Sequence, residues 1–157
     1  MLRGDEAMLL DVEIRKAQKT EDLAQVLTLL RDASLPTEGV EEHFANFLVA
    51  VDGEGKPVGA IGLEQYADGT GLLRSAVVDP SLQNSGIGSR LYEELIQWAR
   101  QAGTKRIILL TTTAEKYFAR KGFKTIARAS ITGPVTTSAE FAGACPETAA
   151  CMELLLQ

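Results

Sequence analysis

The sequence predicts an α/β (α+β) domain in which helices cover a mixed, mostly antiparallel sheet. Short runs of branched and apolar residues alternate with turn residues between positions 47 and 78, which is typical of antiparallel strands. Segments with apolar residues three and four positions apart lie on either side of these runs, as in amphipathic helices. The segment TKRIILLTT is nearly continuously apolar, which is typical of a strand covered on both faces. We therefore expect six to seven strands and about four helices.

The first half of the chain supplies a strand, two helices and three further strands. DVEIRKAQ alternates apolar and polar residues like an opening strand, and KTEDLAQVLTLLRDASLP has helical spacing that ends near Pro36. EGVEEHFANF is interpreted as a short second helix before the strand FLVAV. The turn clusters DGEGKP and YADGTG separate VGAIGLEQ from LLRSAVV. Residues 47 to 78 are therefore predicted to form a three-stranded antiparallel meander.

The second half begins with a turn after Pro80 and a strongly amphipathic helix. The predicted buried face of this helix consists of Ile87, Leu91, Leu95, Trp98 and Ala102. The strand TKRIILLTT, the short helix AEKYFARK and the strand FKTIARA follow. A polar loop with one helical turn around SAEFA then leads to the last strand, TAACMELLL.

Length and composition predict one globular domain over residues 1–157, with residues 1–10 as a candidate disordered segment. The 157 residues are 45% hydrophobic and 24% charged, which is ordinary for a folded protein. The net charge of −5 argues against nucleic-acid binding, because readers of nucleic acids usually carry a basic face. The first residues lack the basic and long apolar regions of a signal peptide, and no apolar run is long enough to span a membrane. We therefore expect a cytoplasmic protein without a membrane partner.

The two cysteines, Cys145 and Cys151, do not form a zinc-binding spacing. Two reduced, partly buried thiols are the simplest interpretation, because cysteine in an apolar strand is commonly part of the packing. Soft thiolates also bind metalloid ions, so a trivalent-arsenic site at this pair is the alternative. No resident metal is expected.

The loop before the central helix has the composition of an anion site. Gly86 and Gly88 allow backbone conformations and a close approach that a side chain would prevent. The first amides of a helix lack internal partners and lie at the positive end of its dipole, so they bind phosphate groups well. A plain glycine-rich connection is the alternative. The loop lacks the Lys-Ser/Thr pair of a P-loop and the third glycine of a dinucleotide fingerprint.

The motif Gln83-x-x-Gly86-x-Gly88 resembles the pyrophosphate loop of the GNAT (GCN5-related N-acetyltransferase) superfamily. SAVVDP resembles the strand end before that loop, and LLTTTAEKYFARKGF resembles the fifth strand and the helix that ends in the Gly-Phe of the family. The resemblance covers most of the chain. It implies a GNAT fold that is splayed between the fourth and fifth strands, and acetyl-CoA as the cosubstrate.

Several segments, among them EEHFANFLVA and SAEFAGACPETAACM, are similar to small acetyltransferases of bacterial arsenic-resistance operons. A more distant resemblance links the chain to the acetyltransferase domain of N-acetylglutamate synthases. Both imply transfer of an acetyl group to the amine of a small amino acid or amino-acid analogue. An arsenic-containing glutamate analogue is one such acceptor.

The resemblance also implies which residues bind the cosubstrate. Backbone amides at Ala76 or Val77 would stabilise the charge that develops on the thioester carbonyl, and the main chain of Val78 would pair with the pantetheine arm. Gln83 is a weaker candidate. The diphosphate would be bound by amides of Ser85, Gly86, Ile87, Gly88, Ser89 and Arg90.

Three polar residues are candidates for contact with the amine acceptor. Glu64 lies in an otherwise apolar strand, where burial would keep a proton acceptor available near neutral pH. The alternative is that strand alternation turns Glu64 to solvent. Arg74 would bind an acceptor carboxylate in a bidentate manner, or would be a surface charge. His43 is a candidate base or substrate contact, or an ordinary residue of the second helix.

The general acid is not assigned by the resemblance. Phe118 occupies the position where the family usually has a tyrosine, and a phenyl ring cannot protonate a thiolate. Tyr117 is adjacent but points about 100° away on a helix. Tyr117, a threonine from 111 to 113, and water all remain candidates for this role.

Three functional classes follow from these interpretations. A small-molecule N-acetyltransferase leads, while a protein-lysine acetyltransferase and a non-catalytic acyl-CoA sensor are alternatives. The sequence does not give the oligomeric state, although a homodimer is compatible with it.

Overall fold

The computed structural model of the protein describes residues 12–157. Its strands are β1 (Glu13–Lys16), β2 (Phe47–Val51), β3 (Pro57–Gln65), β4 (Thr70–Val78), β5 (Arg106–Thr111), β6 (Lys124–Ile126) and β7 (Ala150–Leu155). Its α-helices are α1 (Lys19–Asp32), α2 (Ile87–Gln101) and α3 (Glu115–Arg120). The segment predicted to be disordered, residues 1–10, lies outside the described residues.

The strands form one seven-stranded sheet in the order β1-β2-β3-β4-β5-β7-β6. All neighbouring strands are antiparallel except β4 and β5, which are parallel. The predicted meander corresponds to β2, β3 and β4. The fold class predicted from the sequence is therefore confirmed.

The parallel pair β4 and β5 is joined only at its beginning. The register pairs Thr70 with Arg106, Gly71 with Ile107 and Leu72 with Ile108, and no pair follows. β4 continues to Val78, while the end of β5 pairs with β7 on its other side. The C-terminal part of β4 therefore has a free edge that faces a gap in the sheet, as predicted.

The two faces of the sheet carry separate cores. Leu48 and Ala50 of β2 pack in one cluster with Leu91 and Leu95 of α2. Phe47, Val49 and Val51 of the same strand pack in another cluster with Val26 and Leu30 of α1. Because successive side chains of a strand point to opposite faces, helices on both faces bury every residue of β2. This double cover fixes the position of the start of α2 next to the end of β4.

Two predictions about helices need correction. The segment predicted as the second helix forms turns followed by one 3₁₀ turn, Phe44–Asn46, because Gly39 adopts a positive φ of 81° and interrupts helical geometry. The buried face of α2 consists of Ile87, Leu91, Tyr92, Leu95, Ile96 and Ala99. Ala102 is exposed after the end of that helix, and Trp98 is half-buried, with the Lys16 ammonium 4.0 Å from its ring centre.

The C-terminal loop between β6 and β7 covers a further part of the sheet, on β4, β5 and β7. Ile131 and Val135 of this loop pack on Leu72 of β4, Ile108 of β5 and Cys151 of β7. The loop ends in one π-helical turn, Glu140–Ala144, at the position where the sequence predicts a helical turn. Within residues 12–157, no helix is both long enough and apolar enough to cross a membrane.

Candidate functional site

A β-bulge distorts β4 where its edge is free. Ala60 pairs with Val77 and Gly62 pairs with Arg74, so Ile61 alone lies opposite two residues of β4, Ser75 and Ala76. Ser75 has a φ of 61°, which is uncommon for a residue with a side chain. Bulges turn backbone groups away from the regular ladder and are frequent beside active sites. Here the bulge leaves Ala76 exposed in the gap between β4 and β5.

The loop between β4 and α2 presents backbone amides without partners. The Asp79 carboxylate accepts hydrogen bonds from the Ser81 amide and hydroxyl, which fixes the turn after the strand. Gly86, with a φ of 92°, precedes the first residue of α2. Within residues 12–157, none of the amides of residues 85–89 donates a hydrogen bond. With the helix dipole behind them, partnerless amides of this kind are the usual donors to a bound anion.

Arg90 does not belong to this set, which corrects the sequence prediction. Its amide donates the first hydrogen bond of α2, to the Gly86 carbonyl at 3.0 Å. Its guanidinium donates to the Val12 carbonyl at 3.2 Å. A backbone donor inside the helical ladder is no longer available to a ligand.

Gly86 and Gly88 differ in whether the local structure requires a glycine at their position. A Cβ on Gly86 would have nothing within 4 Å, so that residue is required by its positive φ. A Cβ on Gly88 would meet only Val78 Cγ2, at 3.7 Å, which is an ordinary contact. The protein alone therefore does not require glycine at position 88. A ligand that contacts the backbone there would supply the requirement.

One cleft of about 1480 Å³ joins the loop to the free edge of β4. Its one end is lined by Gln83, Gly86, Gly88 and Ser89, and its middle by Ala76, Val77 and Val78. The side-chain Nε2 atom of Gln83 donates a hydrogen bond to the Val78 carbonyl at 3.4 Å. The Ser85 hydroxyl is buried and has no partner among the described residues. Partnerless amides at the start of a helix, beside one cleft, fit a diphosphate.

A buried charged cluster lies by the other end of the cleft. The Arg74 guanidinium donates to Glu64 Oε2 at 2.8 Å, to Ser75 Oγ at 3.0 Å and to the Pro36 carbonyl at 3.3 Å. Its Nε also lies 3.7 Å from Glu140 Oε2. Arg74 and Glu64 are only 2% and 1% exposed. The alternatives in which either residue is a surface charge are therefore wrong.

Sequence reasoning missed Tyr66, which completes this cluster. Its hydroxyl donates to Glu64 Oε1 at 2.5 Å. Burial and the hydrogen bond to Glu64 raise the pKa of Tyr66 well above its ordinary value. Glu64 therefore has a partner on each carboxylate oxygen. Tyr66 follows the end of β3 in a turn cluster, a position that is typical of a surface residue.

His43 and Glu64 lie close together but do not line the cleft. His43 Nε2 is 3.5 Å from Glu64 Oε1, and it belongs to a turn instead of the predicted helix. Arg74 is the predicted acceptor residue that reaches the cleft wall.

Glu140 is the second residue that sequence reasoning missed. It is 3% exposed and lines the cleft, and its Oε1 atom has no hydrogen-bond partner among the described residues. Burial raises the pKa of Glu140 to about 7, with further contributions from Glu64 and Glu38, while Arg74 and the Cys145 thiol oppose the shift. Glu140 lies in a polar loop with no periodic pattern, so no local signal marks it.

Tyr117 and Phe118 have different surroundings on α3. Phe118 packs among Tyr92 and Phe123 and is 6% exposed. Tyr117 is half-buried in the cleft wall, and its hydroxyl is 3.3 Å from the Ser89 hydroxyl. The structure thus brings a tyrosine hydroxyl to the start of α2 although the usual tyrosine position holds Phe118.

Both cysteines are buried, and Cys145 lines the cleft. Burial and the nearby Glu140 raise the pKa of the Cys145 thiol to about 12, and burial raises the pKa of Cys151. A protonated thiol is a poor ligand for soft ions. Among the described residues, no group of three or more His, Cys, Asp or Glu side chains is arranged to hold a metal ion.

The chain was compared with models of protein families. Residues 12–123 match the Acetyltransferase (GNAT) family. The amino-acid acetyltransferase of Ralstonia nicotianae is 31% identical over 121 residues, which are 72% of this chain and 27% of that protein. The amino-acid acetyltransferase of Mycobacterium tuberculosis is 36% identical over 81 residues, which are 52% of this chain and 46% of that protein. The chain thus spans less than half the length of these relatives.

Solved structures share the fold over nearly the whole chain. The N-acetylglutamate synthase of Neisseria gonorrhoeae, complexed with coenzyme A and N-acetyl-glutamate, matches with a TM-score of 0.78 and 23% identity, over 93% of this chain and 35% of that one. Rv2747 of Mycobacterium tuberculosis, in complex with CoA and NLQ, matches with a TM-score of 0.76 and 25% identity, over 92% of this chain and 99% of that one.

The family match and the fold matches cover the sheet, the glycine loop and α2. The family match extends from the described start of the chain to the Gly-Phe pair at positions 122 and 123. The resemblance recognised in the glycine loop is therefore confirmed, and the chain belongs to the GNAT acetyltransferase family.

Proposed function

We propose that this protein is an acetyl-CoA-dependent N-acetyltransferase that acts on the amine of a small amino acid or amino-acid analogue. The observation that carries the proposal is the continuity of the cleft, which runs from the partnerless amides at the start of α2 to the buried Arg74. The relatives named as amino-acid acetyltransferases support the acceptor class.

The diphosphate of the cosubstrate would be held by amides of residues 85–89, with the Ser85 hydroxyl as a further donor. Several backbone donors aimed at one anion bind it without the loss of flexible side-chain entropy. When bound, acetyl-CoA supplies an acetyl group activated as a thioester. Ala76 and Val77, at the bulge, are the candidates for an amide donor to the carbonyl oxygen, and Val78 for a main-chain contact with the pantetheine arm.

The acceptor would bind between the free edge of β4 and the C-terminal loop. Arg74 uses three of its five N–H groups in the described contacts, so two remain for an acceptor carboxylate. Glu64 and Tyr66 fix the guanidinium in place without lining the cleft. The role of Glu64 as the catalytic base stays a prediction. Because both of its oxygens accept hydrogen bonds from Tyr66 and Arg74, a role in positioning Arg74 is favoured. His43 would act through Glu64.

Tyr117 is the candidate to protonate the leaving thiolate. Tyr117 is half-buried in the cleft wall, and its hydroxyl is close to Ser89, at the end where the cosubstrate would enter. A thiolate is a tolerable leaving group, so this role is less demanding than removal of a proton from the amine.

Several finer predictions stay open to experiment. N-acetylglutamate synthesis is one reaction within the acceptor class that the amino-acid acetyltransferase relatives support. An arsenic-containing glutamate analogue as acceptor rests on the sequence resemblance alone. A peptide lysine, a role as an acyl-CoA sensor, a homodimer and a cytoplasmic location likewise stay predictions.

A thiol-release assay with acetyl-CoA and a panel of acceptors tests the proposal. The panel contains amino acids, glutamate analogues with and without arsenic, and lysine peptides. We expect acceptor-dependent thiol release with a free amino acid. Release with lysine peptides alone, or tight CoA binding without any release, would reject the proposed acceptor class.

A pair of variants tests the binding site itself by calorimetry. Gly86→Asp places a carboxylate among the free amides and should abolish CoA binding. Gly103→Asp, just beyond the opposite end of α2, is the matched control, because Gly103 also has a positive φ, of 83°, and open space around a Cβ. Equal loss of CoA binding in both variants would show that backbone strain, and not the anion site, is responsible.

A further inference from the structure

Glu140 is a buried carboxyl group that has a charged partner on only one oxygen, since Arg74 Nε lies 3.7 Å from its Oε2. The buried carboxylates of Asp22 and Glu64 have partners on both oxygens: Asp22 accepts two hydrogen bonds from Arg15 and one from the Gln18 amide, and Glu64 is held by Arg74 and Tyr66. Glu140 Oε1 has no hydrogen-bond partner among the described residues. Leaving a buried acceptor unsatisfied costs free energy, about 1–3 kcal/mol. Such an orphan group in a cleft wall calls for a functional explanation.

We infer that Glu140 is the group that accepts the proton of the acceptor's amine, directly or through one water molecule. The inference rests on the proposed function and adds a catalytic residue to it. Glu140 lines the cleft on the side of Arg74, whose Nε is 3.7 Å from Glu140 Oε2. An acceptor carboxylate bound to Arg74 would therefore place its α-amine, only two bonds away from the carboxylate carbon, near Glu140.

Glu140 is better suited to this role than Glu64. Both oxygens of Glu64 already accept hydrogen bonds, and Glu64 does not line the cleft. A proton acceptor must reach the amine within hydrogen-bond distance or through one water. Glu140 lines the cleft, and its buried Oε1 atom has no hydrogen-bond partner among the described residues.

The charged neighbours of Glu140 keep it available as a base near neutral pH. Arg74 on β4 favours its charged form, whereas burial, Glu64 on β3 and Glu38 after α1 favour its neutral form, and the balance gives a pKa of about 7. The Cys145 thiol on the same loop also favours the charged form. With its own pKa raised to about 12, this thiol does not compete for the proton.

The proton balance of the transfer is complete without another reactant. The ammonium group of the acceptor loses one proton to Glu140, and the neutral nitrogen forms the C–N bond as the C–S bond breaks. The nitrogen then loses its second proton while the thiolate gains one. The products are the amide, the CoA thiol and a proton that Glu140 returns to water.

The pH dependence of kcat/KM in Glu140→Gln tests the inference. The variant should lose about 100-fold in kcat/KM at pH 7, the usual contribution of a general base, with its affinity for CoA unchanged. In the wild type, kcat/KM should fall more steeply with decreasing pH below about pH 7, because Glu140 becomes protonated there. In the variant, kcat/KM should follow only the ionisation of the amine. Glu147→Gln, an exposed carboxylate on the same loop, is the matched control and should behave as the wild type.

A measurement that does not need turnover accompanies the kinetics. In protein with ¹³C-labelled glutamate carboxyl groups, the resonance absent from Glu140→Gln should titrate near pH 7 and shift when the amine binds. If Glu140→Gln does not fold, Glu140→Asp serves for the assignment.

The outcomes distinguish the inference from the function on which it rests. If the wild type turns over and the pH profile of kcat/KM in Glu140→Gln equals that of the wild type, the inference is overturned and the proposed function stands. Absence of turnover with every amine rejects the function. In that case the role of Glu140 as the base of the transfer is overturned with it.

Discussion

The raised pKa of Glu140 predicts that this residue makes the folded protein less stable as the pH rises. Between its ordinary pKa of 4.5 and the folded value of about 7, the folded state binds a proton that the unfolded state has released. The free energy of unfolding must therefore fall across this window and become level above it. The pKa difference corresponds to about 3 kcal/mol at 1.36 kcal/mol per unit.

Glu140→Gln removes this titration while keeping the shape of the side chain. The free energy of unfolding of the variant, minus that of the wild type, should rise by about 3 kcal/mol between pH 4.5 and pH 8. In urea denaturation this change separates the two midpoints by about 1–3 M, given slopes of about 1–3 kcal/mol per molar. The measurement is made without CoA, because a bound ligand adds its own stabilisation.

Glu147→Gln again serves as the control, and its curve should run parallel to that of the wild type. A Glu140→Gln difference that stays constant from pH 4.5 to pH 8 would refute the reasoning, because Glu140 would then titrate alike in the folded and unfolded states. A difference of opposite sign would mean that Arg74 dominates over burial and holds Glu140 in its charged form.

Three further predictions concern other positions in the cleft. Gly88→Ala should raise the stability by up to about 1 kcal/mol, because alanine is the better helix former, yet weaken CoA binding at least about tenfold by calorimetry. Unchanged affinity would mean that no ligand contacts that backbone. Tyr117→Phe should lower kcat about 100-fold with little change in the affinity for CoA, and a kcat within threefold of the wild type would leave protonation of the thiolate to water. Cys145→Ala should raise the pKa of Glu140 and move the acid limb of kcat/KM to higher pH, because the thiol favours the charged carboxylate. An acid limb of kcat/KM at unchanged or lower pH would contradict a stabilising contact between the Cys145 thiol and the Glu140 carboxylate.

The cosubstrate end of the site could be predicted from the sequence because its determinants are local. Gly86 and Gly88, the proline turn before them and the apolar spacing of α2 all lie within about two dozen consecutive residues. Local spacing fixes where a helix begins, and the start of a helix fixes where its free amides are. The one wrong member, Arg90, differs from its neighbours only in lying one residue too far into the helical ladder.

The acceptor end could be predicted only in part, because its contacts join distant segments. Alternation along β3 and β4 places Glu64 on the same face as Arg74, since Glu64 pairs with Leu72 and Arg74 is the next residue on that side. Whether that face meets solvent or protein depends on what covers it. The cover comes from the segment around Pro36 and from the C-terminal loop, and neither has a periodic signal.

The sequence by itself determined the family, the order of the strands and of the longer helices, and the glycine loop at the start of α2, because those features follow from periodicity and from the conformations that glycine and proline allow. Only the tertiary structure decided that Glu64, Arg74, Tyr66 and Glu140 share one buried cluster. The physical reason is that burial is a property of the whole fold. A carboxylate becomes a base near neutral pH only when distant segments remove its water.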